Sequence, residues 1–290
     1  MKTHLNGHAN GHAGAGVPAR LAEMVARFDA PEKPQAVAVA EPARILSPSQ
    51  VSTYLGCQFK WWARYGLGLP SPRTAALALG SAVHAAIAEN YRQKIETKRD
   101  LAEAGVVAVY REAWGREFDG VELRDEEDAG GLVRMGEAMV KKYIDEAAPR
   151  VEPAAVELRV EGEVGGVRVQ GIVDVVEVDG TIVDIKTSAK SPSDVGADHR
   201  FQAATYVQLT PGASGAARIE TLTKTKEVKF VSQAFTVNGA DLMSTTVMYP
   251  LVAEGMRSGL YMPNRNSNRC SRKDCAYWRR CEQEFGGRVK

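Results

Sequence analysis

Two runs rich in β-branched residues, Gly171–Glu177 and Thr181–Thr187, flank the tripeptide Val178-Asp179-Gly180. An Asp-Gly step between such runs is a strong hairpin signal. This hairpin constrains the chain more than any other stretch, because Asp174, Asp184 and Lys186 interrupt it where apolar residues should continue. Charges buried beside Val and Ile are costly unless they pair or bind metal. Asp184 and Lys186 are two apart, so on a strand they share a face.

The turn decides where Asp174 lies. A two-residue Asp179-Gly180 loop pairs Val178 with Thr181 and sets Asp174 opposite Ile185, on the other face. A three-residue loop with Gly180 left-handed in a bulge pairs Glu177 with Thr181. Asp174 then opposes Asp184, and both carboxylates and the lysine share one face; a one-residue slip would invert this. The bulged turn is the expectation. Two facing carboxylates make a hard oxygen site suited to Mg²⁺ or Mn²⁺. A neighbouring lysine can hold an attacking water or balance the charge of a phosphate. The same residues also fit a solvated strand face carrying an Asp–Lys pair, and the hairpin alone leaves both readings open.

The chain has 290 residues and is 44% hydrophobic, enough for one large domain with additions or for two small ones. A formal net charge of +1 excludes a global polycation, so nucleic-acid binding requires a local patch. No apolar run is long enough to span a bilayer, and the N-terminus lacks an apolar signal core. A cytoplasmic protein with no membrane partner is expected. In that compartment, four cysteines read as metal ligands or buried thiols rather than disulfides.

Residues 1–43 are rich in Ala, Gly and Pro and read as a disordered leader, with one short helix near Leu21–Phe28. His4, His8 and His12 recur every fourth residue, but the intervening glycines argue against a helical metal site. Ser47-Pro48 marks a helix start, serine at the cap and proline in the first turn. That helix should reach Leu55-Gly56 and leave Cys57 at its end. Lys60, Trp61, Trp62, Arg64 and Tyr65 follow; their rings could stack on bases or simply pack in a core. Helices are expected over 74–98, which carries His84, and over 102–118 and 128–147. The run Asp125-Glu126-Glu127-Asp128 reads as a helix start. Strands follow at 154–163 and 167–178, with a turn at Gly165-Gly166. After the central hairpin come a helix over 199–209, strands at 217–225 and 227–235, and a helix from Gly239 to about Ser258. This order describes an α+β or α/β domain with a mixed sheet. Glu157, inside the first strand, reads as an exposed strand residue or as a further carboxylate for the site.

The segment 264–290 holds Cys270, Cys275 and Cys281, spaced C-x4-C-x5-C among many basic residues. So short a tail cannot bury a core of its own, and a metal centre is expected to fold it. With Cys57 it supplies four thiolates, the number needed for a cubane iron–sulfur cluster or a tetrahedral zinc. Zinc sites usually come as two close pairs; the one-plus-three pattern favours a [4Fe–4S] cluster that ties the chain ends together.

Gly80-x-x-x-His84, Gly171-x-x-Asp174, Asp184-x-Lys186 and Gln202-x-x-x-Tyr206, in that order, resemble the PD-(D/E)XK nucleases of the RecB type. With Cys57 before them and Cys270, Cys275 and Cys281 after them, the chain is similar to the iron–sulfur members: the Cas-four exonucleases of CRISPR adaptation, their phage-encoded relatives and the nuclease domain of AddB. The resemblance covers roughly Ser47 to Glu282. It implies a restriction-endonuclease-like core over 44–260, a mixed sheet flanked by helices, with an iron–sulfur cap completed by 261–290. It implies that His84, Asp174, Asp184 and the Ile185 carbonyl bind Mg²⁺ or Mn²⁺. Lys186 would act beside Asp174 and Asp184 in catalysis, and Gln202 and Tyr206 would contact DNA or steady the site. The implied activity is metal-dependent exonucleolytic hydrolysis of DNA, often from single-stranded ends, with CRISPR integrase or recombination proteins as possible partners. The alternative is a weakly catalytic or non-catalytic component that holds DNA ends. The chain departs from the pattern in three places: C-x4-C replaces the usual C-x2-C, Gln58 stands where proline often follows the first cysteine, and Asp184 stands where glutamate is common.

Overall fold

The computed structural model describes residues 45–121 and 123–290. The expectations for the leader, including the helix near Leu21–Phe28 and His4, His8 and His12, lie outside the described residues. The chain proper opens with Leu46, whose N–H donates to the Arg168 carbonyl at 3.0 Å. Helix α1 (Pro48–Gly56) starts where Ser47 accepts the Gln50 N–H, and Cys57 closes it. A short α2 (Gln58–Trp61) runs into a π-helical turn over Trp62–Gly66. Helix α3 (Ala75–Thr97) is capped by Thr74, α4 spans Glu103–Glu117, and α5 (Ala129–Glu146) is capped by Asp128. The acidic run therefore ends, as expected, in a helix cap.

Among the described residues a five-stranded sheet follows in the order β1 (Pro153–Val164), β2 (Val167–Glu177), β3 (Ile182–Ser188), β4 (Ala216–Thr223), β5 (Phe230–Thr236). All neighbours are antiparallel except β3 and β4, which are joined through α6 (Ala197–Leu209) and run parallel. A parallel pair needs such a crossover, since no tight turn can join its ends. Helix α7 (Gly239–Arg257) begins with a reciprocal Asn238–Asp241 capping box, and α8 (Trp278–Phe285) lies in the cysteine segment. Among the described residues no helix is long and apolar enough to cross a membrane.

The β1–β2 turn uses Gly165 and Gly166, both at positive φ, as a two-residue hairpin loop requires. The β2–β3 turn is the three-residue form: Glu177 N–H donates to the Thr181 carbonyl at 3.0 Å, and Gly180, at φ +80°, donates to the Glu177 carbonyl at 2.9 Å. Val176 pairs with Ile182 and Val175 with Val183.

Two layers of helix cover the sheet. Val175, Val183, Ile185 and Leu222 pack against α3, α4 and α5, with Leu79, Val83, Ile87, Tyr110 and Tyr143 at the centre. Val160, Val173, Val176 and Ile182 pack against Tyr206 of α6 on the other side. Strict alternation would put Val173 and Val175 on one face. They lie on opposite faces, so β2 changes phase between them, at Asp174. Strand β1 does the same: Val156 sides with α3, whereas Ala155, Leu158 and Val160 side with α6. The register is nonetheless continuous, Val156 opposite Val175 and Leu158 opposite Val173. Each strand thus carries one extra residue at the same level, Glu157 in β1 and Asp174 in β2.

Candidate active site

Beyond Val175–Val183 the β2–β3 ladder stops, while β3 continues alongside β4 as far as Ser188 and β2 stays with β1. Asp174 fills the gap with its side chain, which accepts the Ile185 N–H at 2.7 Å through Oδ2. Its Oδ1 faces His84 Nδ1 at 3.6 Å. The shared-face expectation is therefore corrected. Asp184 and Lys186 point toward α6, but Asp174 sits at the phase break and opens toward α3 as well. That is how an imidazole from one helix layer and an amide from the other reach a single locus.

On the α6 side, Lys186 Nζ lies 2.7 Å from Asp184 Oδ1. Gln202 Nε2 donates to the same Oδ1 at 3.1 Å and to the Tyr206 hydroxyl at 3.2 Å, while its Oε1 accepts from Lys186 Nζ at 3.3 Å. Gln202 and Tyr206 are one helical turn apart and so project together. Asp184 is 4% exposed, and its Oδ2 is buried without any hydrogen-bond partner.

Two glycines set how closely the helices approach. A Cβ on Gly171 would stand 2.4 Å from the Tyr206 ring, and one on Gly80 would stand 3.1 Å from Thr187 Oγ1. Each removes the atom that would push a helix off the sheet. The motif glycines, Tyr206 and Thr187 were all visible in the sequence, but which glycine makes room for which side chain was not.

The charges of His84, Asp174, Asp184 and Lys186 act on one another. Burial pushes the Asp184 carboxyl above the ordinary range, against the pull of Lys186. Burial acts in the same direction on Asp174, but His84, Lys186 and the Ile185 N–H outweigh it and hold that carboxyl low. Burial disfavours a charged His84, yet Asp174 raises its proton affinity overall. Lys186 likewise loses hydration, and the two aspartates more than offset this. The cluster therefore holds one ionised acid facing the imidazole and a second acid short of compensation.

Among the described residues no three His, Cys, Asp or Glu side chains are placed to hold one metal ion. A small hard cation needs fewer: one or two carboxylates, with water and substrate oxygens completing the shell. The unpartnered Asp184 Oδ2 is an oxygen donor of that kind. Glu157 takes no part; it is exposed and ion-paired to Arg92.

The four cysteines gather from both ends of the described chain. Cys57, Cys270, Cys275 and Cys281 lie in one small cluster with Phe59, Ala63, Tyr277 and Val289. Burial pushes the Cys275 and Cys281 thiols up, and each is electrostatically coupled to both Cys57 and Cys270. Trp61 and Trp62 both stack on Tyr261, at 6.0 and 5.5 Å between centroids. Trp61 is core, and Trp62 joins this cluster to the one beneath α7.

The family model for the PD-(D/E)XK nuclease superfamily matches residues 45–282. Among solved structures, a protein from Eubacterium rectale, itself described only as a provisional exonuclease, superposes with a TM-score of 0.52 at 14% identity, covering 86% of this chain and 90% of its own. Another, SSO0001, reaches a TM-score of 0.34 at 14% identity, covering 79% of this chain and 95% of its own. At this identity the first likeness speaks to fold alone, and the second carries no weight. No curated protein matches the chain.

Proposed function

Because the chain belongs to the PD-(D/E)XK nuclease superfamily, we propose that it is a Mg²⁺- or Mn²⁺-dependent exonuclease hydrolysing DNA phosphodiester bonds at single-stranded ends. The carrying observation is the buried, unpartnered Asp184 Oδ2 beside Lys186. Asp174, Asp184 and the Ile185 carbonyl would hold the cation, with His84 beside them. A bound divalent cation would polarise a phosphate oxygen and acidify a water. Lys186 supplies a fixed positive charge where the pentacoordinate phosphorane carries extra negative charge. Gln202, tied to both Lys186 and Asp184, keeps the ammonium group aimed, and Tyr206 keeps Gln202 in place.

The preference for a single strand rests on the cysteine-bearing cap. Residues 57–66 and 264–290 together hold ten basic and three acidic residues, in a chain whose net charge is only +1. Among the described residues Lys60, Arg64, Arg269 and Arg279 form no ion pair. Arg272 and Arg279 lie over the Trp278 ring at 4.4 and 5.2 Å. Cations interleaved with rings suit the phosphates and bases of an unpaired strand. Tyr277 joins this surface to the segment leading into α3 through a 3.2 Å hydrogen bond to the Leu69 carbonyl.

We further propose that the four clustered cysteines take a [4Fe–4S] cluster, with zinc as the competing occupant. Metal and acid-labile sulfide analysis of anaerobically purified protein separates the two. The nuclease reading is tested by digesting end-labelled single- and double-stranded DNA with Mn²⁺ and with EDTA. Mononucleotide release from single-stranded ends, lost with EDTA and in Asp184→Ala, is expected. Full activity of Asp184→Ala and Lys186→Ala would end the assignment, and undiminished DNA binding without cleavage would favour an end-holding component.

A further inference from the structure

Glu157 is the one non-glycine residue at positive φ inside a strand among the described residues; the other, Lys98, closes a helix. Its φ of +47° lies in the left-handed region, which an L side chain enters only at a steric cost. In β1 that conformation supplies the extra residue. The pairs on either side, Val156–Val175 and Leu158–Val173, keep one register, so the residue across from Glu157 is Asp174. The phase shifts in the two strands are matched. Were Glu157 extended, Leu158 and Val160 would exchange faces with their neighbours, and β2 could keep its pairing only by losing its own shift. Asp174 would then turn fully to one face, away from either His84 or the Ile185 N–H.

We propose that Glu157 is a positioning residue: its left-handed backbone, and not its carboxylate, holds Asp174 at the junction of the two helix layers. The side chain points away, to Arg92 on α3, and contributes no ligand. Arg92 also pairs with Glu89 on its own helix at 3.1 Å, so the cation keeps a partner when Glu157 is removed. The consequence for cation binding rests on the nuclease reading. The consequence for Asp174 does not, since it concerns a hydrogen bond within the protein.

The test compares Glu157→Gly, Glu157→Asn and Glu157→Val with the wild type. Glycine and asparagine tolerate the left-handed region, whereas a β-branched residue resists it. The first readout is hydrogen exchange of the Ile185 amide in metal-free protein, which reports the Asp174 bond directly. The second is Mn²⁺ affinity by calorimetry. Gly and Asn variants should keep Ile185 protection and bind Mn²⁺ within a few-fold of wild type. The Val variant should lose that protection and bind about 10–100-fold more weakly, the range for losing a residue that orients a ligand. If the Val variant matches wild type in Ile185 exchange, the proposal is overturned. If the Gly variant loses as much as the Val variant, the carboxylate is what matters and the proposal is equally overturned. Should wild type bind no Mn²⁺, the nuclease reading fails, and the Ile185 comparison still decides the role of Glu157.

Discussion

Replacing Asp184 by asparagine tests whether the site is built for a cation, without relying on turnover. The side chain is 4% exposed, and one of its oxygens has no partner. Leaving a buried acceptor unsatisfied costs about 1–3 kcal/mol. Lys186 offsets part of this, yet burial still raises the carboxyl's proton affinity. The folded state therefore prefers a neutral group here. A carboxyl whose folded pKa is raised adds its full stabilisation below the unfolded carboxylate range, near pH 4, and loses it as pH rises through the folded value. Metal-free Asp184→Asn should thus melt higher than wild type at neutral pH, and the gap should close as the buffer is acidified toward pH 4. For a folded region of this size each kcal/mol is worth about 2–4 °C; a net gain of about 1 kcal/mol gives a shift of a few degrees. Adding Mn²⁺ should reverse the order. At about 100-fold above its dissociation constant a ligand adds about 2.7 kcal/mol, enough to lift wild type past the variant, which lacks one carboxylate and should respond little. Differential scanning calorimetry in EDTA and in Mn²⁺ measures both. A variant melting lower than wild type in EDTA at pH 7, or rising as much with Mn²⁺, would refute the reasoning.

Gly171→Ala places a methyl group where 2.4 Å separates it from the Tyr206 ring; overpacking of that kind costs about 1–3 kcal/mol, and kcat should fall further than the melting temperature suggests, because Tyr206 steadies Gln202. Asp241 both completes the cap of α7 and pairs with Arg200, whose Nε lies 2.9 Å from Oδ1. The Arg200 hydrogen bond is the main cause that holds the Asp241 carboxyl below its ordinary range, so its contribution is present above the unfolded carboxylate pKa and lost as pH falls through the lower folded value. Acid unfolding monitored by circular dichroism should therefore be less steep below about pH 4 in Asp241→Asn. Cys57→Ser should loosen the cap, read as faster proteolysis of the segment after Asn264, while leaving the sheet's melting transition in place.

The pairing of the central hairpin was readable from Val178-Asp179-Gly180, because a left-handed glycine after Asp permits only a few loop lengths. The helices over 75–97 and 129–146 were readable too, since their caps, Thr74 and Asp128, carry side chains that bind free N–H groups; the helix over 103–117 starts at Ala102 without such a cap. The phase shift was not readable. Left-handed positions announce themselves in sequence as Gly or Asn, and Glu157, at φ +47°, is neither. The expectation of Glu157 as an exposed strand residue matched its solvent exposure and missed its backbone. Trp61 and Trp62 were ambiguous for a similar reason, since the ring that decides between core and platform, Tyr261, is two hundred residues away.

The matched shift also explains why the site stands where it does. An uninterrupted sheet separates its two helix layers completely, and no side chain of α3 could meet one of α6 across it. The ladder between β2 and β3 ends after Val175–Val183, and Asp174 supplies the hydrogen bond that the strands no longer make. Its carboxylate is thereby held by backbone on one oxygen and left facing His84 on the other. Asp184 and Lys186 remain on the α6 side, one strand away. The junction puts groups from three elements within reach of one another without opening the hydrophobic core, because the residues on either side of it, Val173 and Val175, are both buried, each in a different layer. On the nuclease reading proposed above, a phosphodiester reaching this gap from solvent would meet acid, imidazole and ammonium together.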